Sequence, residues 1–203
     1  MTLIEKAQDF AHRAHDVIEQ KRKYSGEPYW VHTDEVAQIG WDALKLQNIG
    51  DEYIQAIVAG YHMHDYREDV VTKLEQDLRL EVLAKFEDEY ASFPLLTQQI
   101  VTELTDVFVK EAYPQMNRAE RKHNERERIG KTSDAAKTGK LADLISNTRS
   151  IVEHDKDFAR TYLREKFALL PYLADGSPKL LQEASMQTIA GFTQLGLTIP
   201  TIR

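Results

Sequence analysis

The chain of 203 residues contains no cysteine. This absence excludes a disulfide framework and any thiolate metal site, so a metal centre here has to use histidine and carboxylate ligands. No apolar run approaches the roughly 20 residues that a membrane-spanning helix needs. The N-terminal stretch, residues 1–16, is charged and has no apolar core, so it predicts no signal peptide. We therefore expect a cytoplasmic protein.

An excess of positive charge is also missing. The formal net charge of -7 argues against non-specific binding to nucleic acid. Two local basic clusters stand out, Lys21 to Lys23 and residues 118–140. The second cluster contains eight Lys/Arg and four Asp/Glu. Together they are suited to attract a small anion, although each alone is more simply read as a solvated face. The length and the hydrophobic content of 42% predict one domain over 1–203.

Apolar residues recur at helical spacing along most of the chain, and no stretch alternates as a strand would. Thr2 and Glu5 form a capping-box pattern, and Ser133 is a predicted N-cap. Residues 21–30, with Ser25-Gly26 and Pro28, predict a loop. The sequence thus predicts an all-α domain. Its helices begin near residues 3, 32 and 51 and then cover 78–90, 95–104, 118–129, 134–151, 157–173 and 178–195.

The stretch "HMHDYRED", residues 62–69, follows a segment that reads as buried. If the third helix continues through it, His64 lies over Glu68, and Asp65 lies over Glu68 and Asp69. Imidazole and carboxylate are suitable ligands for a divalent metal, and carboxylates one turn away can orient a water molecule or take its proton. A helix end that reaches solvent is the alternative, and for a His-Asp pair alone it is the better one.

Two residues far away in sequence strengthen the metal hypothesis. His32 follows the predicted loop, and Asp143 lies among Leu141, Ala142 and Leu144. A carboxylate in such an apolar patch costs free energy unless it is paired or bound. His32, His64, Asp65 and Asp143 would form a four-ligand site of nitrogen and oxygen atoms.

Several sequence blocks carry a resemblance to a known family. The order His … His-Asp … Asp on a helical chain resembles the HD superfamily of metal-dependent phosphohydrolases. "RKYSGEPYWVH", "HDYRED", "VTELTD" and "KLADLISNTRS" occur in the order seen in RelA/SpoT-type alarmone (ppGpp) hydrolases, over about residues 5–165. The chain length matches a small, free-standing alarmone hydrolase. The resemblance implies an HD-domain helical bundle with a metal site at its centre, completed by the C-terminal helices over 157–203.

The resemblance also implies a reaction and roles for individual residues. The reaction is removal of the 3′-pyrophosphate from ppGpp or pppGpp, with Mn2+ as the cofactor and a guanine nucleotide as the partner. Other divalent transition metals also suit the ligands, and a homo-oligomer is left open. The implied metal ligands are His32, His64, Asp65 and Asp143, the implied catalytic residues are Glu68 and Asp69, and the implied substrate-binding residues are Arg22, Lys23, Lys140, Asn147 and Tyr162.

The chain departs from the family pattern near the predicted site. Leu144 stands where a basic residue is common, and Tyr66 and Arg67 border the site, so substrate choice is open. One alternative is an HD-type phosphohydrolase for another nucleotide, acting as an NADPH phosphatase or like a nucleotidase. Another is a non-catalytic nucleotide-binding HD protein, against which the intact Glu68 and Asp69 argue. His62 is interpreted as structural rather than as an extra ligand.

Overall fold

Helices make up nearly all the regular structure in a computed structural model of the chain, which describes residues 1–200. Within this range we find no β-strand, only an isolated antiparallel bridge between Lys21 and Pro28. None of the helices in the described range is both long and apolar enough to cross a membrane. The chain divides into two compact units, Met1–Thr105 and a second that begins at Asp106. The prediction of one domain over 1–203 stays a prediction.

The first unit is built from six α-helices and one π-helical segment. They are α1 (Leu3–Val17), α2 (Trp30–Leu44), α3 (Asp51–His62), the π-helix Tyr66–Val71, α4 (Thr72–Gln76), α5 (Leu80–Ala91) and α6 (Leu95–Leu104). The predicted capping box of Thr2 and Glu5 is present at α1. The short α4 was not predicted, because five residues are too few to show a helical period.

Helix α3 is the centre of this unit. It packs against α1, α2 and α6, and it is buried from Ala56 to its end at His62. A helix that is apolar on all sides is stable only when other elements surround it. Two glycines allow the close packing. A Cβ on Gly40 of α2 would lie 2.4 Å from the Tyr61 ring, and a Cβ on Gly60 would lie 2.7 Å from Ile100.

Over its described residues, 106–200, the second unit contains four α-helices and a short 3-10 helix. They are α7 (Arg118–Ile129), α8 (Asp134–His154), α9 (Lys156–Leu169), the 3-10 helix Leu170–Leu173 and α10 (Pro178–Gln194). The predicted N-cap Ser133 accepts a hydrogen bond from the N–H of Ala136. The predicted helix over 157–173 instead changes to 3-10 geometry at Leu170, where Pro171 cannot donate an α-helical hydrogen bond.

Helix α8 has the central place in the second unit and packs against α9 and α10. Most of its residues from Ala136 to Ile145 are buried. The Thr148 hydroxyl, one turn further, donates to the Leu144 carbonyl, which satisfies a buried polar group within the helix. Asp143 and Asn147 therefore sit on a rigid, well-packed element.

Candidate functional site

In the first unit, the structure gathers three of the four predicted metal ligands. His32 lies in the first turn of α2, while His64 and Asp65 lie in the turn after α3. The Nε2 atoms of His32 and His64 lie 3.7 and 2.9 Å from Asp65 Oδ2. Both histidines are buried, at 1% and 3% exposure, and their ring centroids are 5.3 Å apart. The three side chains thus converge on one point.

The hydrogen bonding of His64 shows what this point can hold. Its Nδ1 lies 2.8 Å from the carbonyl oxygen of Tyr61. Because a carbonyl only accepts, we assign the proton to Nδ1, which leaves a lone pair on Nε2 of the neutral ring. That lone pair faces a carboxylate oxygen at 2.9 Å, an arrangement that needs a proton or a metal cation between them. Histidine ligands characteristically donate their other N–H to a carbonyl, so this group can bind a metal.

The Tyr29 hydroxyl supports the same carboxylate. It donates to Asp65 Oδ2 over 2.7 Å, and its ring makes an edge contact with His32 at 5.4 Å between centroids. Such a bond fixes the direction in which Asp65 presents its oxygen atoms. Tyr29 is therefore a structural support of the predicted ligands.

The prediction that the third helix continues through residues 62–69 is wrong. Helix α3 ends at His62, a turn contains His64 and Asp65, and a π-helix begins at Tyr66. The Met63 N–H bonds to the Gly60 carbonyl, three residues back, so the α-helical ladder tightens and stops there. The Asp69 N–H still bonds to the Asp65 carbonyl over 3.0 Å, so these residues remain neighbours without a continuous α-helix. π-Helical turns are frequent at functional sites.

The two predicted catalytic carboxylates lie on this π-helix. Glu68 and Asp69 line a cavity of about 330 Å³ together with Gln20. Asp69 Oδ2 accepts a hydrogen bond of 2.8 Å from Gln20 Nε2. Burial, followed by the nearby charge of Asp65, raises the pKa of Asp69 to about 6. A carboxylate with such a pKa can both take and return a proton near neutral pH.

His62 points to a different group of side chains. Its Nδ1 lies 3.0 Å from Asp34 Oδ1, and Asp34 also accepts hydrogen bonds from Gln8 and His12. Although burial raises the pKa of Asp34, the bonds from His62, Gln8 and His12 outweigh it and lower the pKa overall. This setting agrees with a structural role for His62.

In the second unit, the fourth predicted ligand is held by polar neighbours. Asp143 is buried on α8 at 6% exposure. Its Oδ1 accepts from Asn147 Nδ2 over 2.6 Å, and its Oδ2 lies 3.1 Å from Lys140 Nζ. Lys140 also lies 3.8 Å from Asp106. Burial raises the pKa of Asp106, but Lys140 and Lys122 outweigh it, so the pKa is lowered and the carboxylate stays ionised.

A cavity of about 330 Å³ in this unit brings together three of the five predicted substrate residues, Lys140, Asn147 and Tyr162. One part of its wall carries the charges of Asp106, Arg118 and Lys122, and another part is apolar or aromatic, with Leu144, Ile151 and Phe158. This combination suits a ligand with a flat apolar group and an anionic group.

The other two predicted substrate residues, Arg22 and Lys23, lie in the loop of the first unit. The Arg22 guanidinium is mostly buried, at 14% side-chain exposure, and lies 3.4 Å from Glu35 on α2. Lys23 is exposed, and its ammonium group lies over the Tyr24 ring at 4.8 Å from the centroid. Glu35 therefore orients Arg22, whereas Lys23 stays near solvent.

The basic cluster at residues 118–140 is only partly a solvated face. Arg118 and Lys122 line the cavity of the second unit, while Lys131 is exposed. Arg121 donates to the Met116 carbonyl, so it holds a loop. Lys122 pairs with Asp106 at 3.2 Å. The cluster thus divides into cavity and surface residues, which spacing alone does not distinguish.

Sequence reasoning missed three polar residues, the buried His15 and Lys166 and the half-buried Gln20. Lys166 lines the cavity of the second unit at 1% exposure and donates to the Thr148 hydroxyl over 2.7 Å. Burial lowers the pKa of Lys166 to about 7. The one available signal was that each occupies a position on, or next to, the buried side of a helix, where a polar residue is unusual.

Comparisons with known proteins bear on the fold. No family model matches the chain, and no curated protein matches it. By structure, the chain shares the all-α fold of a solved protein structure, which confirms the predicted fold class. One solved structure with this fold is described as a metazoan ortholog of SpoT that hydrolyzes ppGpp and plays a role in starvation responses. The TM-score is 0.70, the identity is 24%, and the match covers 98% of both chains.

Proposed function

We propose that the chain is a metal-dependent pyrophosphohydrolase of guanosine alarmones. It would convert ppGpp or pppGpp into GDP or GTP and release pyrophosphate. The observation that carries the proposal is the buried contact of 2.9 Å between His64 Nε2 and Asp65 Oδ2, which is suited to a cation. The hydrolysis of ppGpp by the structural neighbour, together with the sequence blocks, supports this substrate.

The proposal assigns the metal to His32, His64 and Asp65, with Asp143 as the fourth ligand that the sequence resemblance implies. Two imidazoles and two carboxylates fit Mn2+ and also fit iron, cobalt or zinc. When bound, a divalent cation would polarise the scissile phosphate and make water more acidic. Tyr29 would keep Asp65 oriented toward it.

Asp69 and Glu68 would handle the proton of the attacking water. Asp69, with a pKa of about 6, is mostly ionised at neutral pH and can accept this proton. Glu68 lines the same cavity and would orient the water or protonate the leaving oxygen. Both roles need only the carboxylates of the π-helix.

Substrate binding would use the basic loop and the cavity of the second unit. Arg22 and Lys23 would contact the nucleotide, since a guanidinium can stack on a purine or bind phosphate through two hydrogen bonds. Lys140, Asn147 and Tyr162 line a cavity with both aromatic and cationic walls, which suits a nucleotide. We place the reaction in the cytoplasm.

The test is incubation of Mn2+-loaded protein with ppGpp and separation of the products. We expect GDP and pyrophosphate in equal amounts. A parallel panel of NADPH and nucleoside monophosphates, assayed for phosphate and pyrophosphate, separates this activity from other HD-type phosphohydrolases. The Glu68→Gln variant should keep its metal and lose roughly 100-fold or more in turnover. If the wild type leaves ppGpp intact while binding Mn2+, the proposal is wrong.

A further inference from the structure

A line of side chains connects the inside of α1 to the predicted catalytic carboxylate. His15, in the last turn of α1, is fully buried at 0% exposure. Its Nδ1 lies 2.7 Å from Gln20 Oε1, and Gln20 Nε2 lies 2.8 Å from Asp69 Oδ2. Gln20 thus bridges a buried ring and a carboxylate 49 positions further along the chain.

The donors and acceptors along this line follow from its two ends. An ionised carboxylate can only accept, so the amide nitrogen of Gln20 faces Asp69. The amide oxygen then faces His15, and the ring must donate from Nδ1. Burial lowers the pKa of His15, which favours the neutral ring. The network therefore has one self-consistent assignment, with the proton of His15 on Nδ1.

The surroundings of Asp69 explain why such a line is needed. Asp69 lines a cavity with Glu68, and the charge of Asp65 acts on it as well. Like charges in a poorly solvated place repel each other and favour rotation of the side chain away from them. The N–H of Gln20 opposes this rotation by binding one defined oxygen of Asp69.

A packing role alone does not account for His15. Its Nε2 is buried and has no hydrogen-bond partner within residues 1–200. Leaving a buried polar atom without a partner costs about 1–3 kcal/mol, which an apolar side chain of similar shape would avoid. The ring is thus a costly choice for packing, and its value lies in the donor on the other nitrogen.

We propose that His15 and Gln20 are positioning residues that hold Asp69 in the orientation required for proton transfer. This inference rests on the proposed function, because it assigns a purpose to the orientation of Asp69. In this proposal, neither His15 nor Gln20 contacts the substrate or the metal. His15 fixes the amide of Gln20, and Gln20 fixes the carboxylate.

The first test replaces the bridge. Gln20→Leu has nearly the same size but offers neither donor nor acceptor, and the partial exposure of Gln20 makes the change tolerable for folding. We expect kcat for ppGpp to fall about 10- to 100-fold, as for other residues that orient a functional group, with KM and bound Mn2+ unchanged. A variant with wild-type kcat, or one that changes only KM, overturns the inference.

A matched pair of substitutions tests His15. The amide of Asn can replace the Nδ1 donor, whereas Leu cannot, so His15→Asn should retain most of the activity that His15→Leu loses. His12→Asn, on the same helix but bonded to Asp34, is the control and should leave kcat unchanged. Equal losses in both His15 variants, with equal melting temperatures, would contradict the positioning role.

A measurement without turnover separates this inference from the proposed function. The 15N chemical shifts of the His15 ring report whether Nδ1 carries the proton. We expect the Nδ1–H form in the wild type and a mixture of tautomers in Gln20→Leu. Unchanged shifts in that variant show that the bridge does not exist. If the wild type hydrolyses no nucleotide, the proposed function and the catalytic part of the inference fail together, and the shifts still decide the bridge.

Discussion

A single hydroxyl supports the proposed metal ligands of the first unit. Tyr29 donates to Asp65 Oδ2, the oxygen that also faces both histidines. We expect Tyr29→Phe to weaken Mn2+ binding about 10-fold, because removing a residue that orients a ligand typically costs this much or more. Calorimetric titration with Mn2+ measures the change. Tyr53→Phe, at an exposed tyrosine of the same unit, should leave the affinity unchanged.

At the scale of single residues, the sequence indicated those whose side chains are characteristic metal ligands. His32, His64 and Asp65 were predicted from ligand chemistry and order, and the structure gathers them in one place. His15 and Gln20 could not be predicted, since their bonds depend on how α1 and the loop after it return toward the π-helix. No periodic pattern encodes a contact between residues 20 and 69.

At the scale of single helices, the buried Lys166 on α9 makes the stability of the protein depend on pH. Lys166 has a pKa of about 7 when folded and near 10.5 when unfolded. Between these values the unfolded chain binds more protons, so the free energy of unfolding rises with pH. Lys166→Met removes this dependence and should stabilise the protein more at pH 6.5 than at pH 9.5. Urea denaturation at both values measures the difference.

The control for this prediction is another buried lysine of the same unit. Lys137 on α8 is 4% exposed and pairs with Asp175 at 2.7 Å. The partner Asp175 is 70% exposed, so Lys137→Met leaves no charge buried, and we expect a small effect on stability that is no more favourable at pH 6.5 than at pH 9.5. If Lys166→Met stabilises the protein equally at pH 6.5 and pH 9.5, our account of Lys166 is wrong.

The close packing of α3 against α6 predicts a substitution that destabilises the protein, in contrast to Lys166→Met. A Cβ on Gly60 would meet Ile100 at 2.7 Å and the Thr97 carbonyl at 3.1 Å. Because a backbone oxygen cannot rotate away, we expect Gly60→Ala to destabilise the first unit by about 1–3 kcal/mol despite its better helix propensity. Chemical denaturation measures this. Gly50→Ala, with open space around its Cβ, should have a much smaller effect.

The helices themselves were largely predictable, and the exceptions have a physical cause. Apolar spacing of three and four residues located α1, α6, α7 and α10 within a few residues of their observed bounds. The same spacing rule assumes 3.6 residues per turn, so it extended α3 through Asp69. A period of 3.6 residues cannot predict a π-helix, in which each hydrogen bond spans five residues instead of four.

At the scale of the whole molecule, metal binding should appear as stability. A ligand that binds only the folded state adds about 2.7 kcal/mol at 100 times its Kd. We therefore expect EDTA to lower the melting temperature of the Mn2+-loaded protein by several degrees. Glu68→Gln should keep this shift, because Glu68 is not a proposed ligand, whereas His64→Ala should lose it. Scanning calorimetry with and without EDTA provides the measurement.

The predicted fold class holds at this scale even though the identity to the structural neighbour is only 24%. The reason is that an all-α fold depends on where apolar faces lie, and many side chains satisfy that demand. Substrate choice depends on a few residues such as Arg22 and Lys140, whose contacts with a nucleotide the apolar pattern does not specify.

The π-helix Tyr66–Val71 has a consequence for evolutionary comparison. Each π-helical turn holds about one residue more than an α-helical turn, so it can arise by insertion of a single residue into an ancestral helix. Loss of one residue there would turn the following side chains by about 100° without shortening any loop. Relatives with a gap of one at this point would therefore present their carboxylates in another direction. Corresponding carboxylates in such relatives are better identified by three-dimensional superposition than by sequence alignment.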